Sequence, residues 1–430
     1  MRSLIIKMLV LTWLFAVIIA APVFSEETQP LTLKELCRIA LQKNPSLSEA
    51  NASVVESEAM LRKTRGAMLP TLAVESRYSY VSKPTFFGTT PILEKDTMIN
   101  RVEIQQPIFN GGQMQSMAGM AKWTLQAKLR AESAVKSFVL ANVAIAYYNA
   151  KKAYEFIAVA NASVKHLESG FESANKLYKA GVVTKSDMLR IEVALAGAKD
   201  QSIKAKNDYA SAVAVLKSIT GMSQEEEIKI SDLNDEEWLK ESDKLPSGKR
   251  SELESADFAV KAAKARLRAA AGMYQPGIFL TADYENQPKG AQFPRRTDTF
   301  GVGIVARLNI YDGGQTQATI DMAKAAVARA EAEYRKIKQE TDLQLVTAQN
   351  EVVSARSRVE SLKTQVASAE ETLRLNQIGY REGVYNLTEL LLAESVLTNA
   401  KATSIAADFD LKIAGINLLL AKGQAEALVK

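Results

Sequence analysis

The chain states nearly the same thing twice at a fixed spacing. Residues 109–113 read Phe-Asn-Gly-Gly-Gln and residues 311–315 read Tyr-Asp-Gly-Gly-Gln, 202 positions apart. The same offset of 202 joins GVVTKSDML at 181–189 to GVYNLTELL at 383–391. A third pair, GAMLPTLAVESRYSY from Gly66 and GMYQPGIFLTADYE from Gly272, is offset by 206. A constant offset along the whole length marks a duplicated unit. A unit of this size is far longer than a solenoid module, so the chain must fold as two similar halves of one body.

Proline then shows where long helices can run. The eleven prolines lie at 22, 30, 45, 70, 84, 91, 107, 246, 276, 288 and 294, with none from 108 to 245 and none after 294. Proline in a helix interior is costly, about 3 kcal/mol. In 316–379 apolar or small residues recur at alternating spacings of three and four, from Ile320 and Ala323 through Val352 and Ala355 to Leu373. That is a heptad seam with one extra residue near Thr341. The matching run is 114–180, and at 1.5 Å per residue each helix is on the order of 100 Å long. Each ends at a Gly turn, at Gly181 or Gly383, and Thr184 or Ser186, and Asn386 or Thr388, can cap the returning helix. The returning helices, 186–220 and 388–422, are each too short to match their partner. Stacked end to end with the helices at 45–67 and 251–272, they would match it.

Strict alternation marks four strands between the helices: 71–80, 100–108, 278–285 and 300–310. Charged residues fall on one face and apolar ones on the other, over the length of a tilted membrane-spanning strand. The links at 81–99 and 286–299 are polar and read as surface loops. Four strands cannot close a barrel, and an open edge in lipid is prohibitive. Several chains must therefore share one barrel standing on a helical tube.

Composition narrows the function classes. The formal charge is +5, and removing residues 1–25, with Arg2 and Lys7 and no acids, leaves +3. That balance, without a basic run interleaved with aromatics, is no argument for nucleic acid, and we expect no such partner. Residues 1–25 have a charged start, an apolar core from Met8, and small Val23 and Ser25, which predicts a cleaved secretory signal; an uncleaved anchor is the alternative. With a single cysteine, Cys37, and a single histidine, His166, one chain can build no disulfide, histidine metal cluster or His-based triad. Cys37 reads as a buried position in a short first helix, and His166 as solvated. No phosphate-cradling loop is present; Gly111-Gly112 and Gly313-Gly314 read as strand-to-helix bends. We expect no catalysis, no cofactor and no metal site.

Taken in order and in both halves, these motifs resemble the TolC-like outer membrane efflux family. The resemblance runs from LTLKELCRIALQKNPSL at Leu31 to GINLLLAKG ending at Gly423, through QPIFNGG at 106–112 and LNIYDGG at 308–314. It implies a mainly α chain with a β-barrel part: a homotrimer with a twelve-stranded transmembrane β-barrel, four strands per chain, on a long periplasmic α-helical barrel. The units would be 26–221 and 251–423, with an equatorial linker at 222–250 and a tail at 424–430. It implies an exit duct of a tripartite efflux or type I secretion system, seated in outer membrane lipid. The duct would be coupled through a periplasmic adaptor protein to an inner-membrane pump.

By the same resemblance, the helical tips Gly181, Val182, Val183, Gly383 and Val384 would meet the adaptor. Asp187 and Glu389, again 202 apart, would ring the periplasmic entrance with Tyr380 and Tyr385. The competing reading of the two acids is helix-dipole chemistry at a helix start. Tyr385 stands where some members carry Arg, and Leu392 where a second acid can occur, which implies a less charged entrance. The rival to the duct is a periplasmic coiled-coil adaptor or structural surface protein, which would not need charged-in, apolar-out strands.

Overall fold

A computed structural model describes residues 30–93, 95–231, 238, 245–289, 298–382 and 384–429. The expected signal at 1–25 therefore lies outside the described residues. So does Gly383. Among the described residues no helix is long and apolar enough to cross a membrane.

The helices are α1 (Leu33–Lys43), α2 (Pro45–Gly66), α3 (Gln113–Lys179), α4 (Lys185–Thr220), α5 (Ser251–Ala271), α6 (Gln315–Arg381) and α7 (Leu387–Ala421). The two long ones, α3 and α6, have 67 residues each. The strands are β1 (Thr71–Tyr80), β2 (Thr85–Phe87), β3 (Thr90–Leu93), β4 (Asp96–Asn110), β5 (Gly277–Lys289) and β6 (Asp298–Arg307).

The large sheet is antiparallel in the order β1-β4-β5-β6. Register places Val74, Val102, Tyr284 and Phe300 on one rung, and Leu72, Ile104, Ala282 and Val302 on the next but one. The alternate rungs carry charge: Glu75, Arg101 and Glu285 lie side by side, with Arg101 Nη2 2.6 Å from Glu285 Oε2. One face is thus apolar and the other polar, as period-two alternation dictates.

The strand boundaries differ from the alternation signal in instructive ways. β4 and β5 run further than 100–108 and 278–285 because residues beyond those bounds still pair, for example Met98 with Lys289. Pro107 sits within β4 next to a register shift, where the missing N–H is tolerated. β6 stops at Arg307, and 308–310 leave the sheet, since β5 begins only at Gly277 and offers them no partner. Residues 81–99, expected as plain loop, contain the β2–β3 hairpin and the first four residues of β4.

Short helices stack end to end to match the long ones. α4 ends against the start of α2: Asn44, which caps α2 at Ser46, also donates from Nδ2 to Ile219 O at 2.7 Å. α7 ends against the start of α5: Arg250 Nη1 donates to Ala421 O at 3.1 Å, and Gly248 N to Lys422 O at 2.7 Å. Packing then gives one layer of four rods, α2/α4, α3, α5/α7 and α6, in that order. Each rod joins the strand at the same place in the sheet. The glycine pairs make the joints: Gly111, Gly112, Gly313 and Gly314 all have φ between 65° and 84°, a region that favours glycine.

The main core lies midway along the rods. Leu36, Cys37 and Ala40 of α1, Leu140, Val143, Tyr147 and Tyr148 of α3, and Ile416 and Leu419 of α7 are all buried there. A strap crosses them. Leu31 N donates to Lys229 O at 2.8 Å, and Trp238 Nε1 donates to the Tyr148 hydroxyl at 3.3 Å.

Candidate functional site

The far ends of the rods carry the sequence-predicted site residues. α3 ends at Lys179 with Ala180 as its C-cap, and Gly181 at φ 75° lets the chain turn back. Val182 N donates to Leu177 O at 2.9 Å and Gly181 N to Tyr178 O at 3.0 Å, the paired bonds of a glycine C-cap. At the second tip Val384 N and Tyr385 N both donate to Gly379 O, at 2.8 and 3.1 Å. Val182 and Val384 are 69% and 74% exposed, and Val183 is half-buried. Large apolar side chains at a projecting tip mark a surface that calls for a partner.

Asp187 and Glu389 hold equivalent places, each third in its helix. Thr184 caps α4 and Asn386 caps α7, so the caps are the first members of the two pairs the sequence allows. Asp187 Oδ2 accepts from Thr184 Oγ1 at 2.7 Å, and Asp187 N donates back to Thr184 Oγ1 at 3.2 Å. Asn386 N donates to Glu389 Oε2 at 3.1 Å, and Glu389 N donates to Asn386 Oδ1 at 3.0 Å. Both acids are therefore capping-box residues in the isolated protomer.

Tyr380 reaches across to the other half. It packs with Phe171, Ala174, Met188, Ile191 and Leu387, and its buried hydroxyl has no hydrogen-bond partner among the described residues. Burial pushes the phenol above its ordinary range, and the charge of Asp187 adds to the shift. Tyr380 and Asp187 are thus brought together, while Glu389 stays in its own cap. Tyr385 lies with its ring over buried Gly379, where any added Cβ would collide with the ring.

Three features were missed from the sequence. Gly379 is one; a glycine in the last turn of a heptad helix was its signal. The Arg190–Thr388 contact, Nη1 to Oγ1 at 3.0 Å, joins the two tips and left no sequence signal. The third is a cleft of about 610 Å³ between the halves, with His166, Lys176, Tyr380 and Glu394 on its walls. His166 is exposed, as expected, but it faces this cleft. Among the described residues no group of three His, Cys, Asp or Glu side chains could hold a metal ion.

A single open layer with strands at one end and duplicated helical hairpins at the other is a specific architecture, and comparison with known proteins places it. A family model described as outer membrane efflux protein matches residues 36–222 and 248–424, one block in each half. The chain belongs to the outer membrane efflux protein family. It is 22% identical to outer membrane protein TolC of Escherichia coli strain K12, over 93% of this chain and 84% of that protein. It is 23% identical to the cation efflux system protein CusC of the same strain, over 91% of this chain and 86% of that one. Its fold is that of the outer membrane protein VceC from Vibrio cholerae, with a TM-score of 0.80, 19% identity, and coverage of 91% of this chain and 96% of that one.

Proposed function

We propose that three copies of this chain close into one outer membrane exit duct: a twelve-stranded barrel on a periplasmic helical tube. One observation carries the reading. Among the described residues, β1 and β6 are the outer strands of the sheet at one end of the layer, and α2/α4 and α6 are the outer rods along the rest, in matching order. A second copy set beside the first satisfies both edges at once. β6 of one copy would pair antiparallel with β1 of the next, and α6 would pack on the neighbouring α2/α4. Such a head-to-tail contact closes into a ring. Family membership supports the outer membrane setting, and the count of three rests on the resemblance of the motifs.

In this duct the apolar rungs face lipid and the charged rungs face the lumen. Residues 1–25 are a leader removed on export, and 222–250 belts the tube. The duct is passive and takes its cargo from an inner-membrane pump through a periplasmic adaptor, in an efflux or type I secretion system. Val182, Val183, Val384 and the glycines at 181 and 383 are the adaptor contacts, since the exposed valines need cover. Asp187, Glu389, Tyr380 and Tyr385 form the entrance. Three-fold symmetry brings like carboxylates together there, which favours cation entry and divalent binding.

The test is single-channel recording of the purified protein in a planar bilayer. Discrete steps that fall on adding divalent cations are expected, with that sensitivity lost in D187A/E389A. Steps that ignore both treatments keep the duct and reject the acidic entrance. Silence from folded, inserted protein rejects the duct, and recovery in the soluble periplasmic fraction would favour the coiled-coil adaptor reading.

A further inference from the structure

The two helical hairpins of one chain, α3/α4 and α6/α7, do not close fully on each other. α3 floors the gap, while α4 and α7 touch only sparsely near their starts. Glu394 of α7 sits at the middle of this gap. It is 8% exposed, and it lines both the tip-side cleft and a second cleft of about 740 Å³ on the membrane side. It makes no hydrogen bond or ion pair among the described residues. The cleft toward the membrane is lined by apolar Phe156, Val159 and Ala198 together with polar Ser163 and Gln201.

The charged groups facing it come from every adjoining element. α3 supplies His166 and Lys176, α6 supplies Tyr380 and Arg381, α4 supplies Lys204 and Asp208 in the further cleft, and α7 itself supplies Lys401. Lys401 is held by Glu370 at 2.8 Å. The leading charge acting on the Glu394 carboxyl is that of His166, the chain's single histidine.

We propose that Glu394 is a protonation-dependent positioning residue for the entrance: the hairpins pack when it is neutral and part when it is ionised. The reading rests on the duct described above. Burial raises the carboxyl of Glu394, opposed by the charges of His166 and Lys401. A carboxyl raised in the packed state favours packing at low pH and withdraws that support as pH rises through the raised value. Ionisation then drives water into the cleft and loosens the contact of Tyr380 with the α3/α4 tip. Protonated His166 favours the ionised carboxyl, so its removal should move the transition to higher pH.

Two measurements test this, and they fail independently of each other. In the bilayer, wild-type conductance should rise by about two-fold or more from pH 5 to pH 8. E394Q should stay low and flat, and H166Q should shift the midpoint upward. Spin labels at K179C and E382C, both exposed, should show the tips separating over the same range in wild type and not in E394Q. Buried Cys37 takes no label in the folded protein. If E394Q follows the wild-type profile in both readouts, Glu394 is not the group. An unshifted H166Q, on an exposed residue that leaves the fold intact, overturns the pairing with His166. Should no conductance be seen, the tip separation still decides the case for Glu394 while the duct reading falls.

Discussion

The helices α3 and α6 are copies of one element and have equal length, yet they live in different surroundings. α3 lies inside the layer, between α2/α4 and α5/α7, and its middle reads VLANVAIAYYNA. α6 lies at the edge, and its middle reads QETDLQLVTAQN. In α3, Leu140, Val143 and Ala144 are fully buried within the protomer. In α6, Thr341, Ala348, Val352 and Ala355 are buried, while Leu343 and Val353 are each 66% exposed. Two residues along a helix is about 200° around it, so Leu343 and Val353 point away from the buried seam. Duplication copied the backbone plan; position in the layer then set the side chains. An edge helix keeps apolar residues on its outer side only if another surface covers them.

That contrast breaks first at Leu140. Leu140→Ala should cost about 2–5 kcal/mol, the usual range for a core leucine. Leu343→Ala should hardly change protomer stability. The Cys37 thiol, buried in the same core and pushed up to about 12 by desolvation, gives the readout. It should react with alkylating reagents only when the core opens, faster in Leu140→Ala and unchanged in Leu343→Ala. Leu343→Glu with Val353→Glu should instead abolish the oligomer extracted in detergent, while leaving Cys37 protected. Oligomers that survive the double glutamate would mean that the outer side of α6 faces water.

The bends between sheet and rods sharpen the comparison further. Gly111 and Gly313 share a left-handed conformation, at φ 65° and 68°. Around Gly313 there is open space, whereas a Cβ at Gly111 would run into the Gly272 carbonyl and the Gln275 side chain. Gly313→Ala should therefore cost only the conformational term, about 1 kcal/mol. Gly111→Ala should cost clearly more, because β4 joins the interior rod beside the 272–275 turn. Thermal unfolding of the two variants measures the difference. Equal shifts would show that the interior bend relaxes as freely as the edge one.

How much of this could be read in advance follows the same division. The rods, their end-to-end stacking and β1 were legible, because proline spacing, heptads and alternation are properties of one segment at a time. The Thr184 and Asn386 caps were legible as one of two choices each. Where strands end was not: β4 and β5 extend as far as they find each other, and β6 stops where β5 has not begun. The entrance was legible only as a set of residues. That Tyr380 packs on Ile191 of the other half, and that Glu394 is buried, depends on how two distant hairpins meet, and no local pattern encodes it.

The smallest effect bears on the entrance itself. Among the described residues of the single protomer the buried Tyr380 hydroxyl has no partner, and the charge of Asp187 acts on its phenol. Removing an orphaned buried hydroxyl is nearly neutral or slightly favourable, because no bond is lost and a desolvated donor disappears. If the protomer's geometry persists in the assembled duct, Tyr380→Phe should leave stability and resting conductance within error of wild type. If assembly lets the phenol donate to Asp187, the same variant should lose about 1 kcal/mol and raise the resting conductance. A companion D187N separates the two cases. Asn still offers the oxygen that Thr184 needs, so the cap of α4 survives while the charge that attracts the phenol is gone. Matching gains in conductance from Tyr380→Phe and D187N would place the latch of the entrance between the two halves of one chain. A gain from D187N alone would place it in the ring of like charges between chains.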